Sequence, residues 1–289
     1  MHEAFDPQIL ADDICEVHRI YSGFFAGLKM ENWDKPIKKG SAEWTLHETV
    51  AHLCALTGAG LESIQSTLGG QNYIFNGLVD RYHFVAYNRR GIDDHLASPM
   101  RELCAEFLHI LEETASVARS LRPDECDLAS EMPIYNRPVK VVEAMSIMMF
   151  HAGLHHSAQI AEPAGAAPLW QQLSPEIRHR VISRVMCALS LLYRYDLGGD
   201  LRAVFAFEME GPGGGHWHVD VAPDSAHSDE GIVNYPSIVI HLCKTDLFCQ
   251  MFTGRFNLPL ALLTGQLKLR GDVRLFLRFG SLFSVDAKS

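Results

Sequence analysis

Met148-Met-Phe-His-Ala-Gly-Leu-His-His156 sits inside a run from Pro138 to Glu162 that is apolar nearly all round, with Val141, Val142, Ala144, Met145, Ile147 and Leu154 beside its histidines. A run of this kind predicts a buried helix. Pro138 stands where a first-turn proline is tolerated, and Pro163 with Gly165 ends the pattern. The spacing of His151 and His155 stacks both rings on one face, about 40° apart around the axis, together with Ala144, Ile147, Ala158 and Glu162. Two imidazoles on a buried face need partners, because an unpaired buried polar group costs about 1–3 kcal/mol, and a metal would satisfy both. His156 lies about 100° beyond His155 and replaces it only if the register slips by one residue or a local bulge intervenes.

Upstream, Trp44-Thr-Leu-His-Glu-Thr-Val-Ala-His-Leu53 opens a second amphipathic helix, since Leu46, Val50, Leu53 and Leu56 recur at helical offsets and Ser41 is a candidate N-cap. His52 falls at the edge of the apolar stripe, while His47 points about 140° away and Cys54 about 160° away. His47-Glu48 followed by His52 is not the zinc-protease motif, whose histidines stand four apart. One histidine from this helix and two from the later one make a three-nitrogen site with an open position, the arrangement of catalytic rather than structural zinc. Imidazole ligands suit zinc, with nickel, iron or manganese as alternatives.

Near Asp196-Leu-Gly-Gly-Asp200 the helical period gives way to a period of two. Arg202 to Glu210, a Gly-Pro-Gly-Gly-Gly215 turn and His216 to Val221 read as a β-hairpin, and Ser237 to Leu242 as a third strand. Lys244 to Gly254 reads as a short helix ended by Gly254, Leu258 to Leu263 as another, and Gln266 to Arg270 as a strand; Asp272 to Leu282 is apolar with a mixed signal. Strands, then helices, then a strand argue an α+β unit. Alternation puts His216 and His218 on one strand face opposite Trp217, a solvated edge rather than a metal site. The methionines Met145, Met148 and Met149 read as core filler, and Gly211 to Gly215 lacks the strand-turn-helix setting of a phosphate loop.

Two resemblances organise these readings. Trp44-x7-His52-Leu53, the later His-x3-His-His-Ser-Ala-Gln159-Ile160, and the stretch from Tyr87-Asn88 through Pro99 to Phe107 resemble the DinB-like metal-dependent helical bundle family, which includes the mycothiol-dependent maleylpyruvate isomerases. That resemblance implies a four-helix bundle with one divalent metal, His52 as first ligand and two more from His151, His155 and His156. Helix spacing selects His151 and His155, while the third ligand stays open, because the family often places its last histidine three residues before the glutamine. From Leu201 to about Phe283 the chain resembles a sterol-carrier-protein domain, on Leu-Arg-Ala-Val-Phe-Ala-Phe207, the glycine-rich hairpin before Trp217, Phe252-Thr-Gly-Arg-Phe-Asn257 and Leu-Thr-Gly-Gln-Leu-Lys-Leu-Arg-Gly-Asp272. The expected fold is multidomain α and α+β: a bundle over 1–195 followed by a sterol-carrier-like domain over 196–289. Isomerase-type modules tend to carry an arginine at the Gly-Arg step, which marks Arg255 as a catalytic candidate able to take a carboxylate bidentately; modules that only bind lipid carry a cation there as well.

Composition bounds the partners. The chain has 289 residues, 47% of them hydrophobic, and a net charge of −10. That balance, with no basic cluster, opposes nucleic-acid binding. No apolar run approaches the length of a membrane span and no signal segment opens the chain. The seven cysteines are scattered without a CxxC and read as buried free thiols of a reducing, cytoplasmic compartment. Two functions are compatible with these features. The first is a metal-dependent enzyme acting on a small electrophilic metabolite, by transfer of, or isomerisation assisted by, a low-molecular-weight thiol of mycothiol, bacillithiol or glutathione type, with hydrolysis as the variant if water is the nucleophile. The second is a carrier of a lipid or other apolar metabolite, held among Phe205, Phe207, Phe248, Phe252, Leu260 and Leu263.

Overall fold

The structure, a computed structural model, describes residues 3–37 and 44–284; the candidate cap Ser41 lies outside them. The chain forms two compact units, Met1–Pro133 with Arg137–Leu173, and Ile134–Asn136 with Ser174–Ser289. Among the described residues no helix is long and apolar enough to cross a membrane.

The first unit is a helical bundle. Helix α1 (Pro7–Ala26) starts at Asp6, whose carboxylate accepts from the N–H groups of Gln8 and Ile9. Helix α2 (Leu46–Leu68) starts at Thr45 through a capping box: the Thr45 hydroxyl accepts from the Glu48 N–H, and the Glu48 carboxylate accepts from the Thr45 N–H. Helix α3 (Phe84–His95) lies along α2, and α4 (Met100–Ser120) packs on α1 and α2. A short antiparallel ladder, β1 (Ala129–Ser130) with β2 (Val139–Lys140), takes up the residues after Pro138, so α5 (Val141–Phe150) begins later than the apolar run suggested. The expected single long helix is interrupted. A π-helical turn covers His151–His156, and α6 (Ser157–Ala161) follows it. Helices α1, α2, α4 and the broken α5–α6 make the four-helix bundle. Glycines let its members approach closely: a Cβ on Gly60 would meet Met148 Sδ at 3.0 Å, and one on Gly153 would meet Val17 Cγ2 at 3.0 Å.

The second unit is α+β. It contains α7 (Pro175–Leu192), α8 (Tyr195–Gly198), β3 (Ala203–Met209), β4 (Gly215–Ala222), β5 (Ser225–Glu230), β6 (Ile238–Leu242), α9 (Thr245–Phe252), α10 (Leu258–Leu263), β7 (Leu267–Gly271) and α11 (Val273–Leu282). The sheet runs β5-β4-β3-β6-β7, antiparallel except for the central β3–β6 pair, which aligns Phe205 with Ile238 and Phe207 with Ile240. The hairpin, the third and last strands and the two short helices fall where the sequence places them. Strand β5 does not announce itself, because Ser225-Ala-His-Ser-Asp-Glu230 is polar and half-exposed, as an edge strand can be. The mixed stretch after Asp272 is helical, opened by the Asp272 carboxylate accepting from the Arg274 N–H.

The boundary between the units also differs from the expected 195/196. Helix α7 precedes that point, yet it packs on β4 and β5. His179 Nε2 donates to Glu230 at 2.9 Å and the Ser183 hydroxyl to the same carboxylate at 3.1 Å. The buried Trp217 ring donates its Nε1–H to Ser183 at 2.9 Å, and Arg178 pairs with Asp246 at 2.8 Å. The glycine-rich turn completes the seat: Gly213 has φ 77°, and a Cβ there would lie 2.7 Å from the Pro175 carbonyl oxygen in the first turn of α7. Apart from Ile134–Asn136, the sheet unit thus begins at Ser174.

Candidate metal centre

Helix α2 and the π turn converge on a point inside the bundle. His52 Nε2 lies 3.2 Å from His151 Nε2, and His156 Nε2 lies 2.9 Å from the same atom. The ligand nitrogens of these three residues all fall within 4.8 Å of one another. His52 and His156 are each 3% exposed. In an α-helix His151 and His156, five residues apart, would diverge by about 140°. The π turn removes that divergence by fitting an extra residue into the turn. From α1, the buried Tyr21 hydroxyl donates to the Ala152 carbonyl inside this turn at 2.7 Å, and burial pushes the Tyr21 phenol well above its ordinary value.

The third ring of the set is therefore His156, where regular helix spacing had selected His155. His155 stacks on His151 with ring centroids 6.1 Å apart and 18° between planes, and its nitrogens are not among the converging three. His47 points away as expected, its Nε2 3.2 Å from the Ser98 carbonyl oxygen. Two residues that sequence reasoning quoted without giving them a role stand beside the centre. Trp44 packs over His52, with centroids 4.8 Å apart, and stacks near-parallel to His156 at 6.4 Å. Gln159 Oε1 sits 2.6 Å from His156 Nδ1. The i, i+3 spacing of His156 and Gln159 was the available signal.

Desolvation, and then the neighbouring imidazoles, hold His52, His151 and His156 well below the ordinary histidine value; for His156 the Gln159 contact opposes this in part. At neutral pH all three rings are neutral and offer lone pairs. Three such nitrogens packed around one point suit a cation better than they suit each other, since each neutral ring has only one N–H to give. Zinc–nitrogen bonds of about 2.0–2.1 Å at tetrahedral angles put nitrogens about 3.3 Å apart, close to the observed 3.2 and 2.9 Å. The residues present fit a divalent metal.

Arg255 belongs to the other unit. It is half-buried just past α9, and its backbone N–H donates to the Gln250 carbonyl at 2.9 Å. There Phe205, Phe207 and Phe248 are fully buried and pack edge-on or tilted with each other and with Phe279, whereas Leu260 is 51% and Leu263 86% exposed.

Fold and site together define the class: a four-helix bundle of DinB-like fold with a cluster of three histidines, followed along the chain by a sterol-carrier-type α+β domain. Residues 195–284 match the SCP-2 sterol transfer family. Over 86% of its length the chain superposes on the mycothiol-dependent maleylpyruvate isomerase, covering 89% of that structure with a TM-score of 0.54 and 12% identity. A histidine-to-alanine mutant of the same enzyme superposes with a TM-score of 0.55. At that identity the likeness is one of fold. Hydroxysteroid dehydrogenase-like protein 2 of Homo sapiens is 25% identical over 127 residues, 43% of this chain and 30% of that protein. The Bos taurus protein is 29% identical over 83 residues, 29% of this chain and 20% of its own. The chain spans less than a third of the length of these curated relatives.

Proposed function

We propose that the protein is a metal-dependent enzyme in which His52, His151 and His156 hold one divalent ion, zinc by donor type, and that it acts on a small electrophilic metabolite with a low-molecular-weight thiol of mycothiol type. The observation that carries this reading is the convergence of three neutral, desolvated Nε2 atoms at 2.9 and 3.2 Å. The shared fold with a mycothiol-dependent isomerase supports the thiol and either isomerisation or thiol transfer as the reaction class. When bound, the metal supplies Lewis-acid activation of a thiol, or of water in a hydrolytic variant, so that the nucleophile is available near neutral pH. The chain's own residues do the rest. Three neutral imidazoles leave an open coordination position, and the Trp44 indole shields the rings of His52 and His156. Arg255 is proposed as the group that takes a substrate carboxylate, through two parallel N–H donors.

The test is metal content of the purified protein beside His52→Ala, His156→Ala and His155→Ala. The expected result is about one equivalent of transition metal per chain, lost in the first two variants and retained in the third. No metal in the unaltered protein, even after incubation with zinc, would sink the proposal. A second reading rests on the SCP-2 match: the α+β unit binds an apolar small molecule. Native mass spectrometry showing a co-purified lipid in a metal-free protein would favour it.

A further inference from the structure

His156 has two ring nitrogens with different neighbours. Nε2 faces His151 Nε2 at 2.9 Å, and Nδ1 faces Gln159 Oε1 at 2.6 Å. An amide oxygen only accepts, so the contact requires the ring proton on Nδ1, and a neutral imidazole has no second one to place on Nε2. Both partners are nearly sealed from water, His156 at 3% and Gln159 at 8% exposure. His52 contrasts with it: its outer nitrogen, Nδ1, is buried with no hydrogen-bond partner among the described residues. Without an acceptor at Gln159, the His156 Nδ1–H would be stranded in the same way. The ring would then escape by moving its proton to Nε2 and donating it across the 2.9 Å gap to His151. That internal hydrogen bond would consume two of the three lone pairs at once.

From this geometry we infer that Gln159 is a positioning residue: it locks His156 in the Nδ1–H tautomer, so that the Nε2 lone pair points into the triad and the site cannot close on itself through a His156-to-His151 hydrogen bond. The inference rests on the metal reading above and concerns a residue that stands outside the three converging rings and contacts one of them. Ligating histidines anchored in this way through the second nitrogen are oriented and made more basic, and loss of the anchor costs about 10–100-fold in metal affinity.

The experiment is zinc titration by calorimetry of the full chain, its Gln159→Leu variant and its Gln159→Glu variant, with long-range 1H–15N correlation spectra of the metal-free proteins. Leucine removes the acceptor, whereas glutamate keeps an oxygen at the same reach. The expected result is the Nδ1–H tautomer of His156 in the unaltered and Glu proteins, the Nε2–H tautomer in the Leu protein, and zinc binding weaker by about 10–100-fold in the Leu protein alone. An Nε2–H tautomer in the unaltered protein overturns the inference, as does unaltered zinc affinity in Gln159→Leu. Should the Leu variant not fold, the tautomer of the unaltered protein and the affinity of the Glu variant decide. Failure of the unaltered protein to take up zinc overturns the metal reading itself, a different result from zinc uptake indifferent to Gln159.

Discussion

The two units bury opposite kinds of surface. The α+β unit closes over Phe205, Phe207, Phe248 and Phe279, rings whose only requirement is contact and which meet it in one another. The bundle holds three imidazoles whose nitrogens face one point, two of them buried and His151 partly so, with Trp44 over two of the rings. An aromatic core is satisfied without an ion. A cluster of desolvated lone pairs is not, and the bundle accordingly has a stability that should depend on metal and on protons, while the sheet unit answers mainly to packing.

The largest test is aimed at the aromatic core. Phe207→Ala should destabilise the α+β unit by about 3–5 kcal/mol, read as lost amide protection in β3, β4 and β6, and leave zinc content unchanged. Loss of metal together with the sheet would break the separation. Metal itself comes next: zinc at about 100 times its dissociation constant should stabilise the bundle by roughly 2.7 kcal/mol, with exchange slowed in α2 and α5 and a chelator reversing it. Equal slowing in β3 and β6 would argue against a site confined to the bundle.

Acid should separate the units further. Because the folded-state pKa values of His52, His151 and His156 lie below the ordinary one, the unfolded chain binds more protons than the folded chain once the pH drops under about 6.5. Above that pH these rings add no pH dependence. Below it metal-free bundle stability should fall, by at most about 1.4 kcal/mol per ring per pH unit, until the folded values are reached. A metal-free bundle as stable at pH 5 as at pH 7 would contradict the burial of these rings. The smallest expected effect is that of Tyr21→Phe, which removes the hydroxyl held by the Ala152 carbonyl. It should cost about 1 kcal/mol and, by loosening the π turn, weaken zinc binding; unchanged zinc affinity would mean that the turn holds its register without Tyr21.

Much of this was legible along the chain. The periodicity around His52 marks α2, the alternation from Arg202 onward marks the sheet, and Gly254 marks the end of α9, because each of these signals is local. The pairing of His52 with His151 was within reach for the same reason, each lying on a strongly patterned helix. Strand β5 escaped because an edge strand needs little apolar content, and α7 was assigned to the bundle because a helix does not say in its own residues what it will pack against. His179, Ser183 and Trp217 answer that question only once α7 and β4 are side by side.

Which of His155 and His156 turns its ring toward His52 and His151 is decided by the tertiary structure, the spacing of His156 and Gln159 being the one sequence signal for it. By itself the sequence determined the histidines, the helix that carries them and the two kinds of unit. A constant helical period then selects His155. Tyr21 reaching Ala152 from α1, Val17 against Gly153 and Gln159 beside the His156 Nδ1 are contacts of a π turn. Its extra residue shifts every later side chain around the axis, and the helical period does not record that shift, because two of the three contacts come from a helix more than a hundred residues away.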